Sequence, residues 1–166
     1  MPASIPPAGE PRKRRRPEPS PAQRALGLLV RREHSRKELA RKLAARGVSR
    51  EDAREAVARM TAEGWQDDAR FAESLARMRA AGGHGPVRIL AELETHGLEA
   101  HVIAQALQAL ADAGEDDWLG RARLLVHRRY GTGCADDPAI RRKAADFLIR
   151  RGFDAATAYA ATRSTD

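Results

Sequence analysis

Three stretches decide the fold: LARKLAARGV (Leu39–Val48), ILAELETHGL (Ile89–Leu98) and AADFLIRRGF (Ala144–Phe153). Each carries an aliphatic residue, a leucine four positions on, a glycine after another four, and an apolar residue next. The glycines Gly47, Gly97 and Gly152 lie 50 and 55 residues apart. Leu39, Ile89 and Ala144 occupy one landmark, Leu43, Leu93 and Leu148 the next, and Val48, Leu98 and Phe153 the last. Ten residues past each glycine stand Val57, Leu107 and, as a weaker match, Thr162. Aliphatic spacing of four before a glycine is the pattern of a helix closed by a left-handed cap. Its recurrence at about 50 residues predicts a tandem array of small helical units.

Working outward, each glycine sits inside a longer run of helix punctuation. Ser20-Pro21 predicts a cap and a first helix over about 21–33, with Ala25, Leu26 and Leu29 inward. Ser35 to Glu38 has the form of a reciprocal capping box and opens a second helix. Ser49 to Asp52 opens a third, with Ala53, Val57 and Met60 on one face. The next unit starts at Asp67 or Asp68, with Phe71, Leu75 and Met78 at helical spacing. Gly85-Pro86 and Glu99 begin its other helices, the latter with Ile103, Leu107 and Leu110 inward. Trp118 to about Tyr130, bearing Leu124 and Leu125, opens the last unit. A loop over 131–137, a helix from Asp137-Pro138 to Gly152 and a short alanine-rich helix complete it. No segment alternates as a strand would. The expectation is an all-α protein: three three-helix units forming an elongated, curved array. Their expected bounds are 20–64, 65–115 and 116–166, after a basic arm over 1–19.

Composition narrows the function classes. Aromatic residues are 4% of the 166, so the apolar seams must be thin and close-packed. Cys134 is the single cysteine, which excludes an internal disulfide and suits a reducing compartment. No stretch approaches the roughly 20 apolar residues of a membrane span, and the N-terminus lacks the apolar centre of a secretory signal. A cytoplasmic monomer that avoids membranes is expected. The formal charge is +7, distributed unevenly. Residues 1–19 carry +3, 20–64 carry +5, 65–115 carry −4 and 116–166 carry +3. Basic ends around an acidic middle suit a partner bearing both signs of charge, beside a polyanion.

Signatures of catalysis are missing: no Walker loop and no dinucleotide fingerprint occurs. His34, His84, His96, His101 and His127 do not combine with Cys134 at zinc spacing. Asp67-Asp68 and Asp116-Asp117 fall where helices begin, so capping explains them. Neither a cofactor nor a metal is expected. The arginines are better candidates. Arg31, Arg32, Arg36, Lys37 and Arg41 crowd the first helix pair, and Lys37 and Arg41 share a face. Arg128, Arg129, Arg141, Arg142 and Lys143 concentrate in the last unit, with Arg150 and Arg151 beside them. Arg12, Lys13, Arg14, Arg15 and Arg16 in the arm are suited to non-specific phosphate contact. The plain alternative for all of these is a solvated face with ion pairs such as Glu38–Lys42. Stacking platforms for single-stranded bases are nearly lacking.

The runs LLVRREHSRKELARKLAARG (Leu28–Gly47) and GWQDDARFAESLARMRAAGGHGPVRILAELETHG (Gly64–Gly97) resemble the RecX family of RecA regulators. The resemblance spans about Ala22 to Arg163 and weakens in the third unit. It implies a non-enzymatic protein that binds the RecA nucleoprotein filament. It further implies that the protein modulates RecA, mainly by inhibition, in recombination and SOS-related activities. Separately from the resemblance, a rod with basic ends and an acidic middle suits the filament groove, where single- or double-stranded DNA as well as protein is within reach. The alternatives are a stand-alone DNA-binding helical regulator with Arg36, Lys37 and Arg41 on its reading helix, and a protein scaffold unrelated to nucleic acid.

Overall fold

Capping chemistry sets the helix starts in the computed structural model, which describes residues 18–163. Nine α-helices are found among them: α1 Pro21–Leu29, α2 Arg36–Ala44, α3 Arg50–Ala62, α4 Asp68–Ala81, α5 Pro86–Thr95, α6 Ala100–Asp112, α7 Trp118–Tyr130, α8 Pro138–Arg150 and α9 Ala155–Ala161. A short 3-10 turn, Thr132–Ala135, precedes α8. No strand occurs among the described residues. The arm residues Arg12, Lys13, Arg14, Arg15 and Arg16 lie outside them.

Side chains of Ser20, Ser35, Ser49, Asp67, Asp117, Asp137 and Asp154 accept backbone N–H groups at the first turns of their helices. Each cap satisfies donors the helix itself leaves orphaned. Gly47, Gly97 and Gly152 take φ of +81°, +67° and +89°, the left-handed geometry that ends α2, α5 and α8. Val48 and Phe153 then return their N–H groups to Leu43 and Leu148. The landmark leucines and glycines therefore mark one helix end used three times.

Three separate apolar cores follow, one per helix triplet. Leu39, Leu43, Ala53 and Met60 centre the first; Phe71, Ile89, Leu93 and Leu110 the second; Ala122, Ala144, Leu148 and Phe153 the third. In each triplet the first and third helices pack along each other, α1 on α3, α4 on α6 and α7 on α9. Leu39, Leu43, Ile89, Leu93 and Leu148 are fully buried, each contributing roughly 1.5–3 kcal/mol of burial. Trp118 packs against both the second and third cores.

Some local expectations give way. Helix α1 ends at Leu29, and Val30 beyond it is 75% exposed. Met78 and Leu124 face outward, because Ala72, Ala76 and Ala80 on α4 and Ala122 and Val126 on α7 take the seams. Small side chains let the helix axes approach, and the larger neighbours are left at the rim.

Candidate functional site

Two joints between units, built from the ends of the middle helices, position Arg32, Arg36, Lys37 and Arg151. At the first joint the N-terminus of α2 meets the C-terminus of α5. Lys37 Nζ donates to Thr95 O at 2.8 Å, and the Ser35 hydroxyl lies 2.9 Å from His96 Nδ1. The Ser35 Oγ also accepts the Glu38 N–H, and the His96 ring it pairs with tilts over Phe71. The Arg36 N–H donates to Asp68 Oδ1. Gln66, almost fully buried, donates to His34 O and Asp68 Oδ1 and accepts from Thr61. One amide side chain thus ties the approach to α2, the end of α3 and the start of α4.

Glu38 is the charge at the centre of this joint. Its carboxylate, 8% exposed, receives both terminal nitrogens of Arg32 and lies 2.9 Å from His34 Nδ1. It does not return to the Ser35 N–H, so the expected capping box is completed on one side only. The reciprocal box forms instead between Ser20 and Gln23. Burial alone would raise the Glu38 carboxyl, but Arg32 and His34 outweigh it and hold it down to about 2. Burial pushes His34 and His96 below the usual imidazole range. At neutral pH the joint therefore holds a carboxylate beside neutral imidazoles. The expected Lys42–Glu38 pair is present but long, at 3.7 Å.

At the second joint the N-terminus of α5 meets the C-terminus of α8 through backbone hydrogen bonds. Gly85 N donates to Arg151 O at 2.9 Å and Val87 N to Gly152 O at 3.0 Å. Orphan donors of one helix satisfy orphan acceptors of the other, and opposite dipole ends face each other. A Cβ on Gly85 would stand 2.3 Å from Gly152 O. No larger residue fits that approach. Arg151 also reaches Gly82 O, and Arg121 reaches Ala80 O. Helices α8, α5 and α2 are in this way joined end to end, C-terminus to N-terminus, through all three units.

The candidate cations divide accordingly. Arg32, Arg36 and Lys37 are exposed yet anchored at the first joint, to Glu38, Asp68 and Thr95 O. Arg31 and Arg41 are exposed, with no carboxylate within 4.0 Å among the described residues. Arg128, Arg129, Arg141, Arg142 and Lys143 are all exposed in the third unit and likewise unpaired among the described residues. Arg129 lies over the Phe147 ring at 4.7 Å. Arg151, which the sequence groups with these cations without marking it as a contact, lies over the same ring at 5.4 Å. Its signal was its place directly before a landmark glycine. Arg141 and Arg142 line a groove with Pro138, Tyr159, Thr162 and Arg163. Among the described residues no cluster of three or more His, Cys, Asp or Glu is placed to hold a metal. No helix of the described residues is long and apolar enough to cross a membrane.

Comparisons with known proteins match this layout. Family models described as the first, second and third three-helix domains of RecX match residues 23–60, 67–107 and 115–162. A relative named Regulatory protein RecX from Stenotrophomonas maltophilia (strain R551-3) is 60% identical over 152 residues, covering 92% of this chain and 91% of that one. Another of the same name, from Xanthomonas oryzae pv. oryzae (strain MAFF 311018), is 56% identical over 92% of each. The crystal structure of RecX from Lactobacillus salivarius superposes with a TM-score of 0.67 at 20% identity, over 85% of this chain and 91% of that one. That likeness is one of fold.

Proposed function

The chain belongs to the RecX family, and from that premise we propose that it is a non-enzymatic modulator of RecA. It binds in the groove of the RecA–DNA filament and acts mainly as an inhibitor of recombination and SOS-related activities. The observation that carries the reading is the match to relatives named for regulation, 56–60% identical over 92% of the chain. The structure supplies a fitting means of grip. Three units in series, bounded near 20–64, 65–115 and 116–166, carry at both ends arginines that are unpaired among the described residues. Arg31 and Arg41 serve one end, and Arg128, Arg129, Arg141, Arg142 and Lys143 the other. Arg12, Lys13, Arg14, Arg15 and Arg16 add non-specific attraction to DNA phosphates. The protein acts in the cytoplasm, as a monomer.

A stand-alone DNA-binding regulator would read a groove with the N-terminal residues of its second helix. At that position α2 carries the Asp68 carboxylate, which accepts the Arg36 N–H and stands beside the Arg36 guanidinium, so a phosphate approaching the helix start meets a like charge. The filament reading is therefore preferred. Its test is RecA ATP hydrolysis on single-stranded DNA, titrated with the full chain at less than one copy per RecA. A progressive fall in rate is expected. An unchanged rate at saturation, together with unchanged strand exchange, overturns it.

A further inference from the structure

Helices α2 and α3 of the first unit leave a shallow groove on the surface away from the α1 packing. Ala40 stands on one wall. Val57, Ala58, Thr61 and Ala62 form the floor and the other wall. Three cations rim it: Arg36 and Lys37 from α2, Arg54 from α3. On α3 the residues Arg54, Ala58 and Ala62 follow one another at four-residue spacing, so the charge and the open space lie on one face.

The chemistry of floor and rim differs sharply. The floor is methyl surface. Its one polar group, the Thr61 hydroxyl, is directed inward, 2.8 Å from Gln66 Oε1 and 3.1 Å from Val57 O. Nothing on the floor can donate to a phosphate. The rim keeps its charge: Lys37 contacts a neutral carbonyl, and the Arg36 Nε stands 3.8 Å from Asp68 Oδ2. Arg54 has no carboxylate within 4.0 Å among the described residues. Ala40, Ala58 and Ala62 are too small to fill the concavity, which leaves space for one bulky apolar side chain.

We propose that this α2–α3 groove is a docking site for an acidic peptide segment of a partner protein, one that inserts an apolar side chain between flanking carboxylates. The apolar side chain displaces water from the alanine floor, and the carboxylates meet Arg36, Lys37 and Arg54. A nucleic-acid backbone would satisfy the rim alone and leave the floor wet. A second copy of this chain would have to present such a segment itself. The proposal rests on the groove and does not depend on the RecA reading.

The test uses the full chain and a dye-labelled acidic peptide with one central phenylalanine, read by fluorescence anisotropy. Comparison probes are the same peptide with alanine at the centre and a single-stranded oligonucleotide. Saturable binding is expected, at least tenfold weaker for the alanine peptide. Ala58→Glu and Arg54→Glu should each weaken the phenylalanine peptide at least tenfold. Both positions are exposed, and an unchanged Tm verifies the fold of each variant. Equal binding of the two peptides, or affinity unmoved by Ala58→Glu, overturns the proposal. So does an oligonucleotide that binds more tightly than the peptide and is lost in the same variants. Dimerisation of the free chain that Ala58→Glu abolishes would assign the groove to a second copy and equally overturn it.

Discussion

Replacing Gly85 by alanine tests the joint between the second and third units without removing any side chain. Gly85 has φ of −82°, so alanine meets no backbone strain of its own. Its Cβ, however, would stand 2.3 Å from Gly152 O and 2.4 Å from Phe153 N, where ordinary contact begins at 3.4 Å. The obstructing atoms are backbone, which cannot rotate away. The helix ends must part by about 1 Å, stretching two N–H···O bonds of 2.9 and 3.0 Å beyond useful range. Two lost hydrogen bonds at about 1 kcal/mol each, with some residual overpacking, give a cost of roughly 2–4 kcal/mol. For a chain of this size that corresponds to a fall in Tm on the order of 5–15 °C. Hydrogen exchange localises the effect: the Gly85 and Val87 amides should lose protection while amides in α2 and α3 keep theirs. Gly47→Ala is the control. Gly47 sits at φ +81°, and a Cβ there would meet nothing within 4 Å, so only the left-handed penalty of about 1 kcal/mol applies. Were Gly85→Ala to leave both amides protected and cost no more than Gly47→Ala, the end-to-end joint would be refuted.

Glu38 gives a pH-dependent prediction. Its folded-state carboxyl is held at about 2, below the 4.5 of the free side chain. The stabilisation it supplies is therefore complete above about pH 4.5 and disappears as pH falls towards 2. Urea midpoints of wild type and Glu38→Gln should differ at pH 6 and converge on acidification; a constant gap would contradict the ion-pair account. Burial lowers His34, His84 and His96, so these groups cost stability once pH falls below the ordinary imidazole value of 6.5. His34→Asn should flatten that upper acid limb in a urea series. Leu148→Ala, at a fully buried site, should cost about 2–5 kcal/mol. Leu124→Ala, 59% exposed, should stay within about 0.5 kcal/mol, both by urea unfolding. Charge reversal of Arg141, Arg142 and Lys143 should leave Tm nearly unchanged and weaken the effect on RecA ATP hydrolysis.

What the sequence discloses is local chemistry. The helix ends at Gly47, Gly97 and Gly152 were legible because a left-handed glycine and the leucine four residues earlier belong to the same turn. Caps such as Ser49 and Asp67 were legible for the same reason, as were the buried Leu43, Leu93 and Leu148. Features set by partners far along the chain were not. Glu38 reads as one half of a capping box until Arg32 and His34 are folded against it. Gly85 reads as a helix start before proline, whereas its lack of a side chain is demanded by Gly152, sixty-seven residues away. Met78 and Leu124 fit an apolar period but lose the seam to neighbouring alanines, since periodicity gives a face and not how closely two helices approach. The basic clusters were legible as clusters. Their division into anchored Arg32, Arg36 and Lys37 and unpaired Arg41, Arg141 and Arg142 depends on tertiary contacts.

The most direct test of the central claim is an electron-microscopy reconstruction of RecA filaments on single-stranded DNA with the full chain bound. Added density should follow the helical groove, with the third-unit helices α7 and α8 against neighbouring protomers or DNA. Filaments bare of added density at saturating protein, or density confined to naked DNA, would contradict it.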